Sequence, residues 1–199
     1  MSIHIIERPK DVTYHKVCEL ISLAHREIVE TKGIVMRAAF LDGDKLKERI
    51  GENGVTFVAL DEGKLVGTLS IREKECNAWY THGKVAELVS VATHPEYRGK
   101  HVFSMLYATA WHYVENKEYK LLELDTAANN TNAINVYKHC GFVLVDFKAP
   151  RDADHYSVVM AKWRENAPFN RRYCSIMYRI RKMMVKFRYR VGRKKRFGI

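Results

Sequence analysis

Val85-Ala-Glu-Leu-Val-Ser-Val-Ala-Thr-His-Pro-Glu-Tyr-Arg-Gly-Lys-His-Val-Phe-Ser-Met-Leu106 switches from strand to helix periodicity across a basic turn. Val85–Val91 opens with alternating apolar residues and β-branched valines, which reads as a strand. His94-Pro95 ends it, because a residue before proline is pushed out of helical geometry. Arg98, Gly99 and Lys100 make a short polar turn. Val102, Leu106, Thr109 and Tyr113 then recur at helical spacing, with Phe103, Tyr107 and Ala110 beside them. Such a layout aims backbone N–H groups and the positive end of a helix dipole at one point, which suits a phosphate. Spacing alone fits an ordinary basic strand-to-helix connection equally well.

The flanks extend the same alternation of elements. Ile3–Glu7 reads as a strand, and Pro9 and Asp11 open a helix with Val17, Leu20, Ile21, Ala24 and Ile28 on one face. Residues 31–50 are ambiguous, with helical character at Asp44–Ile50 and a turn at Gly51–Gly54. Thr56–Leu60 and Lys64–Arg72 are apolar runs joined by Asp61-Glu-Gly63, a hairpin signal. After the helix at His101–Asn116 come a strand at Lys120–Thr126 and a helix at Thr131–Cys140 closed by Gly141. Phe142–Phe147 and Tyr156–Trp163 read as two final strands. The expected class is α/β, with a basic amphipathic C-terminal helix added.

Bulk properties narrow the function. The 199 residues suit one domain with an appendage, and 47% apolar residues suffice for a core. We place a domain at 1–164, a linker at 165–170 around Pro168, and a tail at 171–199. Cys18, Cys76, Cys140 and Cys174 are widely spaced, without a CxxC or Cys/His cluster, so neither a metal site nor a disulfide framework is indicated. Isolated thiols suit a reducing cytoplasm. The N-terminal stretch lacks a basic region followed by an apolar run, so it does not read as a signal peptide. No apolar stretch is long enough to span a membrane. The expected location is cytoplasmic, with peripheral attachment at the inner membrane face open through the tail.

Charge is concentrated at one end. Residues 171–199 hold twelve Lys or Arg and no Asp or Glu, although the whole chain has 34 basic and 23 acidic residues. The first 170 residues are therefore nearly neutral, and only the tail carries a signature compatible with nucleic acid.

Beginning at Arg98 the chain reads Arg-Gly-Lys-His-Val-Phe. This resembles the acyl-CoA-binding signature of the GNAT acetyltransferase superfamily: Arg or Gln, two residues, Gly, one residue, then Gly or Ala, after the fourth strand. His101 and Phe103 fill the two late glycine positions, a departure from the pattern. The family holds the CoA pyrophosphate mainly by backbone N–H groups, which any non-proline residue supplies. Asn130-Thr-Asn-Ala-Ile-Asn-Val-Tyr-Lys-His-Cys-Gly-Phe142 resembles a second family signature. It has an Asn after the fifth strand, an Ala three residues on, a Tyr in the next helix and a closing Gly-Phe, matched by Asn130, Ala133, Tyr137, Gly141 and Phe142.

With both segments on matching elements, the chain is identified as a member of that superfamily over residues 3–164. The resemblance implies a mixed, largely antiparallel sheet flanked by helices. It implies acetyl-CoA as cosubstrate, held by Arg98, Gly99, Lys100, His101, Val102, Phe103 and Ser104, by the backbone of Val89 and Val91, and by Asn130, Ala133 and Tyr137.

The implied reaction is N-acetylation of a primary amine, small-molecule or peptide, by direct attack. By resemblance Tyr137 donates a proton to the departing thiolate; a phenol of pKa ~10 carries one at neutral pH. Tyr137 packing one helix face beside Ala133 and Cys140 is the plainer alternative. Asn130 positions cofactor or simply caps a helix. Glu87, a carboxylate among apolar strand neighbours, is the candidate general base, partial burial raising its pKa; an exposed strand glutamate is the alternative. His82 and Tyr80 could serve through water. A catalytically silent CoA- or partner-binding domain, and an amino-sugar or surface-polysaccharide acetyltransferase, are the competing functions.

In the tail, Tyr173, Ile176, Met177, Ile180, Met183, Met184, Phe187 and Val191 form an apolar stripe over roughly 120° of a helical wheel. Arg179, Lys182, Lys186 and Arg190 lie opposite, Arg181 and Arg188 flank the stripe, and Tyr178, Val185 and Tyr189 spoil the polar face. Gly192 is expected to end this helix, before Arg193-Lys-Lys-Arg196. An anionic membrane surface contacted through 171–196, nucleic acid, and packing on the chain's own domain or in a homodimer all remain open.

Overall fold

The computed structural model describes residues 2–32, 41–117, 119–149, 155–165 and 170–197. Among them the chain forms β1 (Ile3–Glu7), α1 (Tyr14–Lys32), α2 (Gly43–Ile50), β2 (Val55–Asp61), β3 (Lys64–Ala78) and β4 (Thr81–Thr93). After a single 3₁₀ turn at Pro95–Tyr97 come α3 (Val102–Asn116), β5 (Leu121–Ala127), α4 (Thr131–His139), β6 (Val143–Lys148), β7 (Ser157–Trp163) and α5 (Arg171–Phe197). This is a mixed α/β fold whose β1/β2, β2/β3 and β6/β7 pairs are antiparallel. The chain divides into two compact units, Met1–Cys76 with Gly83–Leu122, and Asn77–His82 with Glu123–Ile199.

In the first unit the strands run β1-β2-β3-β4. Val55 to Ala59 are all buried, so β2 is covered on both faces. Val17, Leu20, Ile21 and Ala24 of α1 pack with Leu46 and Ile50 of α2 and with Val58 and Ala92. Ile28, expected on the same face, has a side chain outside the described residues, as do all of residues 33–40. Helix α1 begins later than Pro9 and Asp11 suggest. The Thr13 hydroxyl accepts the Lys16 N–H at 3.3 Å, a cap that sets the start at Tyr14. Glu62 and Gly63, both at positive φ, close the β2–β3 hairpin where Asp61-Glu-Gly63 predicts it. On the other side, α3 buries Val102, Leu106, Ala110 and Val114, not the row through Thr109 and Tyr113.

Strands β3 and β4 run far past their expected ends at Arg72 and Val85. The extra residues include Glu73, Lys74, Glu75 and Lys84, whose charges hide the strand pattern. Pairs such as Lys84–Glu73, at 2.8 Å, compensate for that polarity.

In the second unit the strand order is β5-β7-β6. Its interior gathers Leu124, Ile134, Phe142, Val145, Phe147 and Val158–Ala161. Helix α5 packs on β6. It continues through Gly192 to Phe197, against the expected stop. A glycine costs a helix interior only about 1 kcal/mol, too little to break a long one. The face it buries also differs from the expected stripe. Cys174 is buried, Tyr178 lies edge-on to Phe147 at 6.3 Å, and Tyr189 meets Tyr156 at 5.4 Å. Arg181 grips both carboxylate oxygens of Asp146, at 2.5 and 2.9 Å. The residues that spoil the polar face are thus the ones that dock.

Candidate functional site

Strand β4 is distorted at Ser90. Its φ is +53°, a left-handed conformation rare for a residue with a Cβ and worth about 1–3 kcal/mol of strain. Such a residue inside a strand interrupts the ladder and re-aims the neighbouring peptide groups. The neighbours are Val89 and Val91, the two positions expected to bind through their backbone. The Ser90 side chain is buried, and its Oγ has no hydrogen-bond partner among the described residues.

Glu87, three residues earlier, is 6% exposed. It is ion-paired, not isolated among apolar groups as its sequence neighbours suggest. Arg72 Nε reaches one oxygen at 2.5 Å, and Lys74 Nζ the other at 3.5 Å. Arg72 and Lys74 lie two apart on β3, hence on one face.

A residue overlooked in the sequence touches the same strand. His25, on the buried stripe of α1, hydrogen-bonds the Val91 backbone, while its Nδ1 is buried without a partner among the described residues. Burial holds the imidazole below its ordinary value; the Val91 bond opposes this and the Arg98 cation adds to it. The folded chain therefore binds this proton less readily than the unfolded chain, whose value is near 6.5. Stability from this group is complete above about pH 6.5 and declines as the pH falls below it. We expect the urea midpoint to drop between about pH 7 and about pH 5.5, and His25→Gln to reduce the drop. An unchanged slope in the variant would assign the effect to other groups.

The turn after β4 is built for free donors. Arg98 is extended, and its guanidinium donates to the Ala24 carbonyl at 2.7 Å, tying the turn to α1. Gly99 and His101 follow at φ +75° and +60°. His101 thus adopts a left-handed conformation that favours glycine, and histidine is among the side chains that tolerate it. Phe103 is already helical and stacks on Tyr107 at 5.9 Å, so its position has no need of glycine's freedom. The His101 side chain does not cap α3, and the N–H groups of Val102, Phe103 and Ser104 have no intrahelical acceptor. Arg98, Gly99, Lys100 and His101 are exposed.

In the second unit Asn130 caps α4, its side chain accepting the Ala133 N–H at 3.4 Å. Helix α4 ends in a Schellman motif. Gly141, at φ +92°, donates to Lys138 O, and Phe142 donates to Tyr137 O, each at 3.0 Å. The rings of Tyr137 and Phe142 meet edge-on at 5.8 Å. Tyr, Gly and Phe therefore form one device that pins the Tyr137 ring. The Tyr137 side chain is half-buried, and burial pushes its pKa far above the ordinary phenol value, with Cys140 adding to the effect.

Of the other candidates, Tyr80 donates to Glu123 at 2.6 Å, and His82 pairs with Asn77 at 2.7 Å on the surface. Glu123, 1% exposed on β5, escaped notice in the sequence. Its signal was the same as that of Glu87, a carboxylate inside an apolar run. Val89, Val91 and residues 98–104 thus lie in the first unit, and Asn130, Ala133 and Tyr137 lie on successive turns in the second.

The family model described as Acetyltransferase (GNAT) family matches residues 15–142. No curated protein matches the chain. Among solved structures, the ribosomal-protein-S18-alanine N-acetyltransferase from Escherichia coli is 18% identical, with a TM-score of 0.61 over 84% of this chain and 100% of that one. An N-acetyltransferase from Staphylococcus aureus Mu50 is 14% identical, with a TM-score of 0.63 over 82% and 98%. A GNAT family acetyltransferase from Elizabethkingia anophelis with acetyl-CoA bound is 14% identical, with a TM-score of 0.58 over 81% and 98%. At these identities the likeness is one of fold.

Proposed function

Since this chain belongs to the GNAT acetyltransferase family, whose acyl donor is acetyl-CoA, we propose that it transfers acetyl to a primary amine by direct attack. The observation that carries this reading is the Arg98–Ser104 turn, with left-handed Gly99 and His101 before a helix start that the His101 side chain does not cap. Backbone donors there fit a pyrophosphate. The thioester makes the acetyl group transferable; the chain supplies orientation and proton control. In this reading the backbone around Ser90 binds the pantetheine and the thioester oxygen, since a distorted strand turns donors away from the ladder. By resemblance to the family, Asn130 and Ala133 at the start of α4 are further cofactor-binding positions in this reading, Asn130 also capping the helix. Tyr137 presents a proton to the departing sulfur.

Glu87 is proposed as the acceptor of the amine proton. Glu87→Gln is expected to lower kcat/KM on the order of 10²-fold and to remove the acid limb of its pH profile. Arg72→Gln, which keeps the carboxylate, should retain most turnover. Equal losses in the two variants, matched by equal losses of stability, would leave Glu87 a purely structural ion pair.

The deciding experiment measures thiol release from acetyl-CoA over amino sugars, polyamines, aminoglycosides and lysine peptides. Release with at least one amine, stoichiometric with acetylated product, supports the proposal. Acetyl-CoA binding without release on any amine would favour a silent binding domain.

A further inference from the structure

We propose that the outer face of α5 binds the surface of an anionic lipid bilayer, independently of any catalytic role. Helix α5 is apolar on two sides. Its inner side is committed to β6 through Cys174, Tyr178 and Tyr189, with Arg181 on Asp146. The outer side carries Ile176, Ile180, Met183, Met184 and Phe187, all exposed, with Met183 at 67% and Phe187 at 68%. At 100° per residue these five span an arc of about 100°, roughly opposite the docked face. The stripe legible in the sequence is thus the one that the fold leaves uncovered.

Charge identifies the occupant. On the wheel Arg172, Arg179, Lys186 and Arg190 fall within about 60° of one edge of the exposed row, nearer to it than the opposite side expected from the sequence, and Arg188 lies on the other edge. All five are exposed, and among the described residues none of them has an acidic partner. Residues 171–199 contain no carboxylate side chain. A second copy placed on this row would set cations against cations. Nucleic acid would engage the basic edge but gain little from five large apolar side chains at the centre. A bilayer with anionic headgroups rewards both, with Ile, Met and Phe entering the acyl boundary while Arg and Lys stay at the phosphates. No helix among the described residues is long and apolar enough to cross a membrane, so α5 would lie along the surface. Its 27 residues are about 40 Å long.

The test is cosedimentation of the full chain with vesicles of phosphatidylglycerol and phosphatidylcholine, against phosphatidylcholine alone. Binding should favour the anionic vesicles by about tenfold or more. The double variant Met183→Glu/Phe187→Glu should lose about tenfold in partition, with its fold intact by circular dichroism. The variant Arg179→Gln/Lys186→Gln/Arg190→Gln should lose on the order of 10²-fold. Equal partition into both vesicles, or into neither, overturns the proposal. So does salt-sensitive binding of a DNA or RNA oligonucleotide that survives the double Glu variant when vesicles are not bound. Self-association abolished by the double Glu variant, in a chain that ignores vesicles, overturns it in favour of a second copy.

Discussion

Replacing Tyr137 with Phe is expected to lower kcat on the order of 10²-fold while leaving the affinity for acetyl-CoA nearly unchanged. The substitution removes one oxygen and leaves the backbone bonds that close the helix. The Schellman bonds of Gly141 and Phe142 are backbone bonds, and a Phe ring can keep the 5.8 Å contact with Phe142. Loss of turnover would therefore report on the hydroxyl. Its pKa is pushed up by burial, so the proton stays in place throughout the physiological range. Tyr137 should accordingly contribute no alkaline limb to the kcat profile below about pH 10, and any such limb should persist in the Phe variant. Unchanged turnover would remove Tyr137 from the mechanism and leave it as a packing residue.

Gly67→Ala should destabilise the chain by about 1–3 kcal/mol, through overpacking. A Cβ at Gly67 would stand 2.6 Å from Val102 Cγ1, 2.9 Å from Leu106 Cδ1 and 3.2 Å from Ala59 Cβ. Val102 is buried, β-branched and the first residue of α3, so it has no alternative rotamer to retreat into. The helix start must move instead, and with it the donors of the Arg98–Ser104 turn. The melting temperature should fall ~2–4 °C per kcal/mol lost, and the KM for acetyl-CoA should rise more than kcat falls. A variant with wild-type melting temperature and KM would show that α3 adjusts without cost.

Both signatures were legible because each is held together by neighbours in sequence. Asn130 caps its own helix three residues on, and Gly141-Phe142 close it within five. Glu87 was legible as an unusual strand carboxylate, but its partners Arg72 and Lys74 were not, because a hairpin of unseen length brings them together. His25 could not be singled out, since a histidine on a helical stripe looks the same whether or not a strand carbonyl meets it. Ser90 gave no sign either; nothing in Leu-Val-Ser-Val distinguishes a left-handed serine from an extended one.

The tail shows the same division. Its helix and its apolar stripe follow from periodicity, which the backbone imposes every 3.6 residues whatever surrounds it. Which of two apolar faces docks is settled by the complement that β6 offers, namely Phe147 for Tyr178 and Asp146 for Arg181. For this chain, elements, caps and turn chemistry were written locally, where hydrogen bonds reach three to five residues. The strained serine, the paired glutamate, the glycine beneath α3 and the uncovered face of α5 come from contacts between distant segments, whose energies no local pattern contains.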